Sequence, residues 1–409
     1  MGKGWSAMKK TIILYGIPAY GHIHANLCLA KLLVKEGFRV VYYATDSFRQ
    51  VIEANGCEYR SYPLEREQLD LSDGKRIPRL YRLLLQYTQK MLPVLLMASE
   101  IDRPCCVIFD SLALWGRIVG TLHHVPAFSF YSLAAVGRPG DAGFWMYAWG
   151  FWKKFLQYGD ELPRALRIRN YLEQTYRING LGLMDVLMGK GDRNLMGYSR
   201  TFQPGGENFD AACLFLGPLS IHREVVEVND FDSPREPIIY ISLGTIFNQD
   251  PKLLNEVIRQ FGEWKGDKTD TGSFARRIVM VDMGKTGKED RQYPDNFIVR
   301  SFVNQGEILA RASLFITSGG LNSIHEALYY KVPCLLCPQQ GEQLVNARRF
   351  AALGYGRILK RLPFLREEAE RTMELKDQWN ENLRRELLEV HMEEALTCFR
   401  RIRDTGRMA

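Results

Sequence analysis

The sequence predicts an α/β protein built from two doubly wound parallel sheets. Short apolar, β-branched runs alternate with segments whose apolar residues recur at helical spacing. That alternation runs as far as Tyr131 and restarts at Pro237. The length of 409 residues exceeds one compact core and suits two or three domains. With 46% hydrophobic and 25% charged residues the chain has the balance of an ordinary globular protein, which excludes wholesale disorder.

The first strand is Thr11-Ile12-Ile13-Leu14-Tyr15-Gly16, followed by a Pro/Gly-bearing loop through Gly21. Leu27 to Lys35 has helical spacing, with apolar Leu29, Leu32 and Leu33 and a stop at Gly37. Arg39 to Ala44 is the next strand and completes a βαβ unit. Leu80 to Met97 reads as a core helix. Cys105 to Phe109, Leu112 to Leu122 and Ala127 to Tyr131 repeat the strand–helix–strand rhythm. In the second half, strands are expected at Pro237 to Leu243, Arg277 to Asp282, Asn296 to Arg300, Leu314 to Thr317 and from Val332, with a helix over Pro251 to Gln260.

The expected domains are residues 1–220 and 237–375, joined by an acidic linker over 221–236 that holds Asp232-Ser233-Pro234-Arg235. A C-terminal helix over 376–409 is expected to pack back across them, on an apolar side that includes Trp379, Leu383, Leu387, Leu388 and Ala395.

The 54 basic and 47 acidic residues leave a formal charge of +7, yet residues 360–409 carry 11 of each. No cationic tail marks a nucleic-acid or membrane partner. Eight cysteines are too sparse for a disulfide framework. Cys334 and Cys337 form a C-x-x-C, but their apolar neighbours and the lack of a second Cys/His pair at zinc spacing favour buried strand thiols. Thr11 to Gly16 is too short for a signal h-region, and no run reaches the length of a spanning helix. A soluble, reduced, cytoplasmic protein is expected.

In doubly wound sheets ligands bind beyond the carboxyl ends of the strands, here the loops after Gly16, Phe109, Leu243 and Thr317. The last is the richest. Thr317-Ser318-Gly319-Gly320-Leu321-Asn322-Ser323-Ile324-His325-Glu326 is a strand end, a glycine turn and a helix start. Glycines let a backbone approach a phosphate, and the N–H groups of a helix N-terminus favour a dianion. Asn322 and Ser323 stand in the first turn, and Glu326 one turn on suits a ribose diol. The same residues would also serve as a capped glycine turn. Ser242-Leu243-Gly244-Thr245 adds hydroxyls and amides, Phe302-Val303-Asn304-Gln305 an aromatic plane and an amide, and Glu342-Gln343 an acceptor and an amide for sugar hydroxyls.

In order and spacing, Ile238 to Gly356 resembles the donor-binding domain of the UDP-sugar-dependent, inverting GT-B glycosyltransferases, nearest the bacterial macrolide type. The resemblance continues more thinly over nearly the whole chain. It implies two Rossmann-like domains facing across a cleft. It places Phe302 at the base-stacking position and Gln305 at the base-contacting one. Ser318, Gly319, Gly320, Asn322, Ser323 and Thr245 fall on the diphosphate site, Glu326 on the ribose ligand, and Glu342 with Gln343 on the sugar ligands.

In Gly21-His22-Ile23-His24-Ala25-Asn26, where the family has G-H-x-x-P, His22 falls on the catalytic histidine. Asp110 falls on the aspartate that orients it. An acceptor hydroxyl is a poor nucleophile, and a neutral imidazole can take its proton while a carboxylate fixes the tautomer. Asp110 also suits a helix N-cap, and His24 is a rival base. Two departures stand out: Ser318 replaces a diphosphate-contacting histidine, and Ala25 replaces the motif proline.

The resemblance thus implies transfer of a hexose, with glucose the expected sugar, from a UDP-sugar to a hydroxyl of a lipophilic small molecule. Neither metal nor cofactor is expected. The aromatic run Gly143 to Trp152, followed by Lys153 and Lys154, is a candidate acceptor wall and leaves peripheral membrane contact open. The alternatives are a non-catalytic nucleotide-sugar-binding partner, suggested by Ser318, and a sugar-nucleotide epimerase or hydrolase on the same frame.

Overall fold

The computed structural model describes residues 9–64, 77–132, 161–219, 238–244, 251–262, 277–281, 292–301, 303–339 and 341–408. Thr245, Phe302, the 221–236 linker and the aromatic run 143–152 lie outside the described residues. The chain divides into two compact units, Met1–Leu219 with Glu389–Ala409, and Ser220–Leu388.

The first unit holds a seven-stranded sheet of β1 (Thr11–Tyr15), β2 (Arg39–Ala44), β3 (Glu58–Ser61), β4 (Pro104–Asp110), β5 (Ala127–Tyr131), β6 (Arg193–Met196) and β7 (Cys213–Phe215). Its order is β3-β2-β1-β4-β5-β6-β7, with every pair parallel. Its helices are α1 (Tyr20–Lys35), α2 (Arg49–Ala54), α3 (Ile77–Asp102), α4 (Leu114–Leu122), α5 (Glu161–Tyr176) and α6 (Leu183–Met188). β1 shows why the sheet is covered on both sides. All five of its residues are buried, and alternate side chains enter opposite cores. Ile12 and Leu14 join Leu29 and Leu33 of α1, whereas Ile13 and Tyr15 join Tyr81, Leu84 and Met91 of α3. Arg39 and Arg60 both bond the buried Asp102 at the end of α3, and Arg39 Nη1 donates to Asp102 Oδ1 at 2.9 Å. Two cations at a helix C-terminus suit its dipole and tie α3 to β2 and β3.

The second unit repeats the plan with β8 (Ile238–Ser242), β9 (Arg277–Val281), β10 (Phe297–Arg300), β11 (Ala312–Thr317), β12 (Cys334–Leu336) and β13 (Gly356–Ile358). Their order is β10-β9-β8-β11-β12-β13, again all parallel. The helices are α7 (Pro251–Gly262), α8 (Gln305–Leu309), α9 (Leu321–Tyr329), α10 (Gly341–Ala352), α11 (Leu365–Met373) and α12 (Glu381–Leu388). Ile239 and Ile241 pack with Leu253, Val257 and Phe261 of α7 and with Leu365 and Ala369 of α11.

Two expected helices differ in extent. α1 starts at Tyr20, seven residues before the expected Leu27. Alanine stands at position 25, where proline would remove a helical N–H, so the helix reaches back through the G-H-x-x motif. The stretch expected as one C-terminal helix is broken after Leu388, and α13 (Glu393–Thr405) belongs to the first unit. There the Phe399 ring lies 4.6 Å from that of Phe128, and Arg400 Nη2 donates to Glu36 Oε1 at 2.7 Å.

None of the eight cysteines, all within described segments, is in a disulfide. Cys334 and Cys337 are buried, and burial pushes the Cys334 thiol up. A buried, protonated thiol is inert. Among the described residues no three metal-ligating side chains cluster, and no helix is long and apolar enough to cross a membrane.

Candidate active site

The strand order reverses direction between β1 and β4 in the first sheet and between β8 and β11 in the second. Such switch points open a crevice beyond the strand ends. Described residues singled out in the sequence lie at both.

At the first, His22 is the third residue of α1, directly beyond β1, and Asp110 ends β4. His22 Nδ1 lies 2.7 Å from Asp110 Oδ2. The carboxylate side chain is fully buried and the imidazole 15% exposed, so the ring is anchored inside and reachable outside. A carboxylate only accepts, so the Nδ1 proton points at Asp110 and the lone pair falls on Nε2. Asp110 Oδ1 accepts from the Leu112 N–H at 3.1 Å, which fixes the carboxylate plane. The N-cap of α4 is Ala113, so Asp110 bonds a turn before the helix and does not cap it. His24 is two residues on from His22, about 200° round the helix, and cannot share this site. Ser132, missed in the sequence, places Oγ 2.8 Å from His22 Nδ1.

At the second, β11 runs through Thr317 into Ser318, Gly319 and Gly320, and Gly320 is the N-cap of α9. Gly319 has φ +85°, and a Cβ there would meet the Gln343 carbonyl oxygen at 3.2 Å. Only glycine fits without strain. Gly320 differs: its φ is −60°, and among the described residues none comes within 4 Å of where a Cβ would stand. That gap lies at the helix N-terminus, as an anion-binding turn requires.

Two side-chain networks flank the turn. Gln305 Nε2 donates to Glu326 Oε2 at 2.7 Å and to Ser323 Oγ at 3.4 Å, and Tyr240 OH donates to Gln305 Oε1 at 3.3 Å. Burial, and after it the Glu326 charge, push the Tyr240 phenol up, so it stays a donor. Asn346 Nδ2 bridges the Gly319 carbonyl at 3.3 Å and Glu342 Oε1 at 3.1 Å, and Gln343 Oε1 accepts from the Gln339 N–H at 2.9 Å. Asn322 and Ser323 stand partly exposed in the first turn of α9. Tyr240 and Asn346 carried no signal in the sequence, one inside an apolar strand and the other inside a helix.

His325 supplies no charge in place of the histidine that Ser318 replaces. It is fully buried, and burial pushes its pKa down to about 3, so it is neutral near pH 7.

Residues 250–384 match the model of the glycosyltransferase family 28 C-terminal domain. Over 367 residues the chain is 31% identical to the NDP-glycosyltransferase YjiC of Bacillus licheniformis, covering 86% of this chain and 85% of that one. The chain belongs to the bacterial nucleotide-sugar glycosyltransferases. This glycosyltransferase is also 26% identical over 355 residues to the oleandomycin glycosyltransferase of Streptomyces antibioticus, across 85% of its own length and 79% of that protein's. The crystal structure of the glycotransferase of kitacinnamycin superposes with a TM-score of 0.74 at 22% identity, covering 93% of this chain and 95% of that one. Its fold is therefore the expected GT-B.

Proposed function

We propose that this glycosyltransferase moves a hexose, with glucose the expected sugar, from a UDP-sugar to a hydroxyl of a lipophilic small-molecule natural product, with inversion at the anomeric carbon. The observation that carries the proposal is the pairing of His22 with the buried Asp110 at the switch point of the first sheet. The relationship to the oleandomycin enzyme supports a natural-product acceptor. Uridine, glucose and inversion follow the resemblance set out above.

In the proposed step, Nε2 of His22 takes the acceptor proton while Nδ1–H stays on Asp110. The acceptor oxygen attacks the anomeric carbon as the bond to the diphosphate breaks, and a single displacement inverts that centre. The leaving charge is received by N–H groups at the start of α9 and by the hydroxyls of Ser318 and Ser323, dipoles already in place. Glu326 and Gln305 hold the nucleoside, and Glu342 with Gln343 the sugar. Thr245 and Phe302 keep the phosphate- and base-contacting roles expected of them. No cofactor takes part, and the expected setting is the cytoplasm.

The test is to incubate the protein with UDP-glucose or thymidine-diphosphate glucose and a panel of macrolide and phenolic acceptors, reading mass gain with His22→Ala in parallel. A hexose gain with UDP-glucose that the variant loses supports the proposal. Nucleotide binding with no gain on any acceptor would favour the non-catalytic partner.

A further inference from the structure

We propose that Ser132 is a positioning residue for His22, sharing the Nδ1 proton with Asp110 and fixing the direction in which Nε2 points. The proposal rests on His22 being the base. Nothing in the motif pattern marks this serine; the register of the sheet brings it in. β5 pairs with β4 so that Phe130 stands opposite Asp110, and the Ser111 N–H donates to the Phe130 carbonyl at 3.0 Å. Phe128 and Phe130 lie in the same core as Leu29 and Leu33 of α1. Two residues on from Phe130, Ser132 continues that face toward the first turn of α1. It is buried, with Oγ 2.8 Å from His22 Nδ1, while Asp110 Oδ2 lies at 2.7 Å.

One ring nitrogen thus faces two oxygens, one at the end of β4 and one just past the end of the adjacent β5. If Nδ1 lacked its proton, Ser132 could donate to it, but the carboxylate lone pair would then face the ring lone pair at 2.7 Å. With the proton on Nδ1, both oxygens accept it, the carboxylate more strongly. Two anchors at the ends of different strands hold the ring against rotation about its own axis, which one acceptor alone would permit. Ser132 exchanges no proton and forms no bond to substrate. Its contribution is to aim Nε2 before the acceptor arrives.

The experiment compares wild type, Ser132→Ala, Ser132→Thr and His22→Ala by steady-state kinetics, with 15N NMR of the His22 ring. Ser132→Ala is expected to lower kcat roughly tenfold, the scale of one lost buried hydrogen bond, and to leave the acceptor KM within about twofold. It should also shift the Nδ1 resonance. Ser132→Thr, which keeps the oxygen, should restore both. Wild-type kcat and an unmoved Nδ1 resonance in Ser132→Ala would overturn the proposal. So would a raised KM in both Ser132 variants with no rescue by threonine, which is the pattern of a pocket wall. Unimpaired turnover in His22→Ala would instead overturn the assignment of the base on which the proposal rests.

Discussion

Gln305 Nε2 donates to Glu326 Oε2 across 2.7 Å, although the two residues are 21 positions apart. One opens α8 and the other lies inside α9, and the bond joins the residue proposed to contact the base to the one proposed to contact the ribose. Removing either partner therefore disturbs both. Glu326→Ala should weaken UDP binding by ~10–100-fold, since the half-buried Gln305 amide loses its charged acceptor. Tyr240→Phe removes only a neutral bond at 3.3 Å and should weaken it by less than about tenfold. Calorimetric titration of UDP measures both. Equal effects would contradict this order.

Gly319 and Gly320 are neighbours with opposite constraints. Gly319→Ala forces a left-handed residue against the Gln343 carbonyl and should cost about 1–2 kcal/mol of stability. Gly320→Ala meets no atom of the described residues, so thermal unfolding should be nearly unchanged. Its methyl would occupy the gap assigned to a phosphate, and UDP affinity should fall. Denaturant melts paired with titrations separate the two outcomes.

His325 makes the second unit sensitive to acid. Its folded pKa of about 3 lies below the ordinary value of 6.5, so between those pH values the unfolded chain binds a proton that the folded chain does not. Stability from this residue is complete above pH 6.5 and declines as pH falls. The loss should reach about 3 kcal/mol by pH 4. His325→Gln should unfold with a shallower pH dependence over that window. Urea melts at several pH values measure the slope, and identical slopes would contradict the assignment.

Much of this was legible in the sequence, for identifiable reasons. β1, β2, β5, β8 and β11 are apolar runs bounded by glycine, proline or charge, and periodicity finds such runs. The turn Ser318-Gly319-Gly320 was legible because glycine at positive φ and a polar first helical turn leave a pattern in sequence. Ser132 and Tyr240 left none, because a serine just past a strand and a tyrosine inside one have ordinary sequence neighbours. Their roles come from strand register and from a bond to a distant side chain. The start of α1 was misplaced because Gly21 reads as loop, although an early helical turn tolerates glycine. The break after Leu388 was hidden because the residues on both sides keep helical apolar spacing.

Asp110 acts on His22 through one hydrogen bond, and Asp110→Asn tests that dependence. An amide can donate to Nδ1 and so favour the tautomer with its proton on Nε2, the atom that must accept. The kcat should fall by ~10²–10⁴. UDP affinity should stay within about twofold, because the nucleotide is assigned to the second unit. Stopped assays of product by mass spectrometry give the first quantity and calorimetry the second.

The most direct measurement puts both activities in one sample: UDP affinity and hexose transfer from UDP-glucose, for wild type and His22→Ala side by side. Two separate switch points predict that wild type binds and transfers, and that His22→Ala binds UDP equally well but loses transfer by at least about a hundredfold. Transfer at an undiminished rate by His22→Ala, or failure of the wild type to bind UDP, would contradict the account.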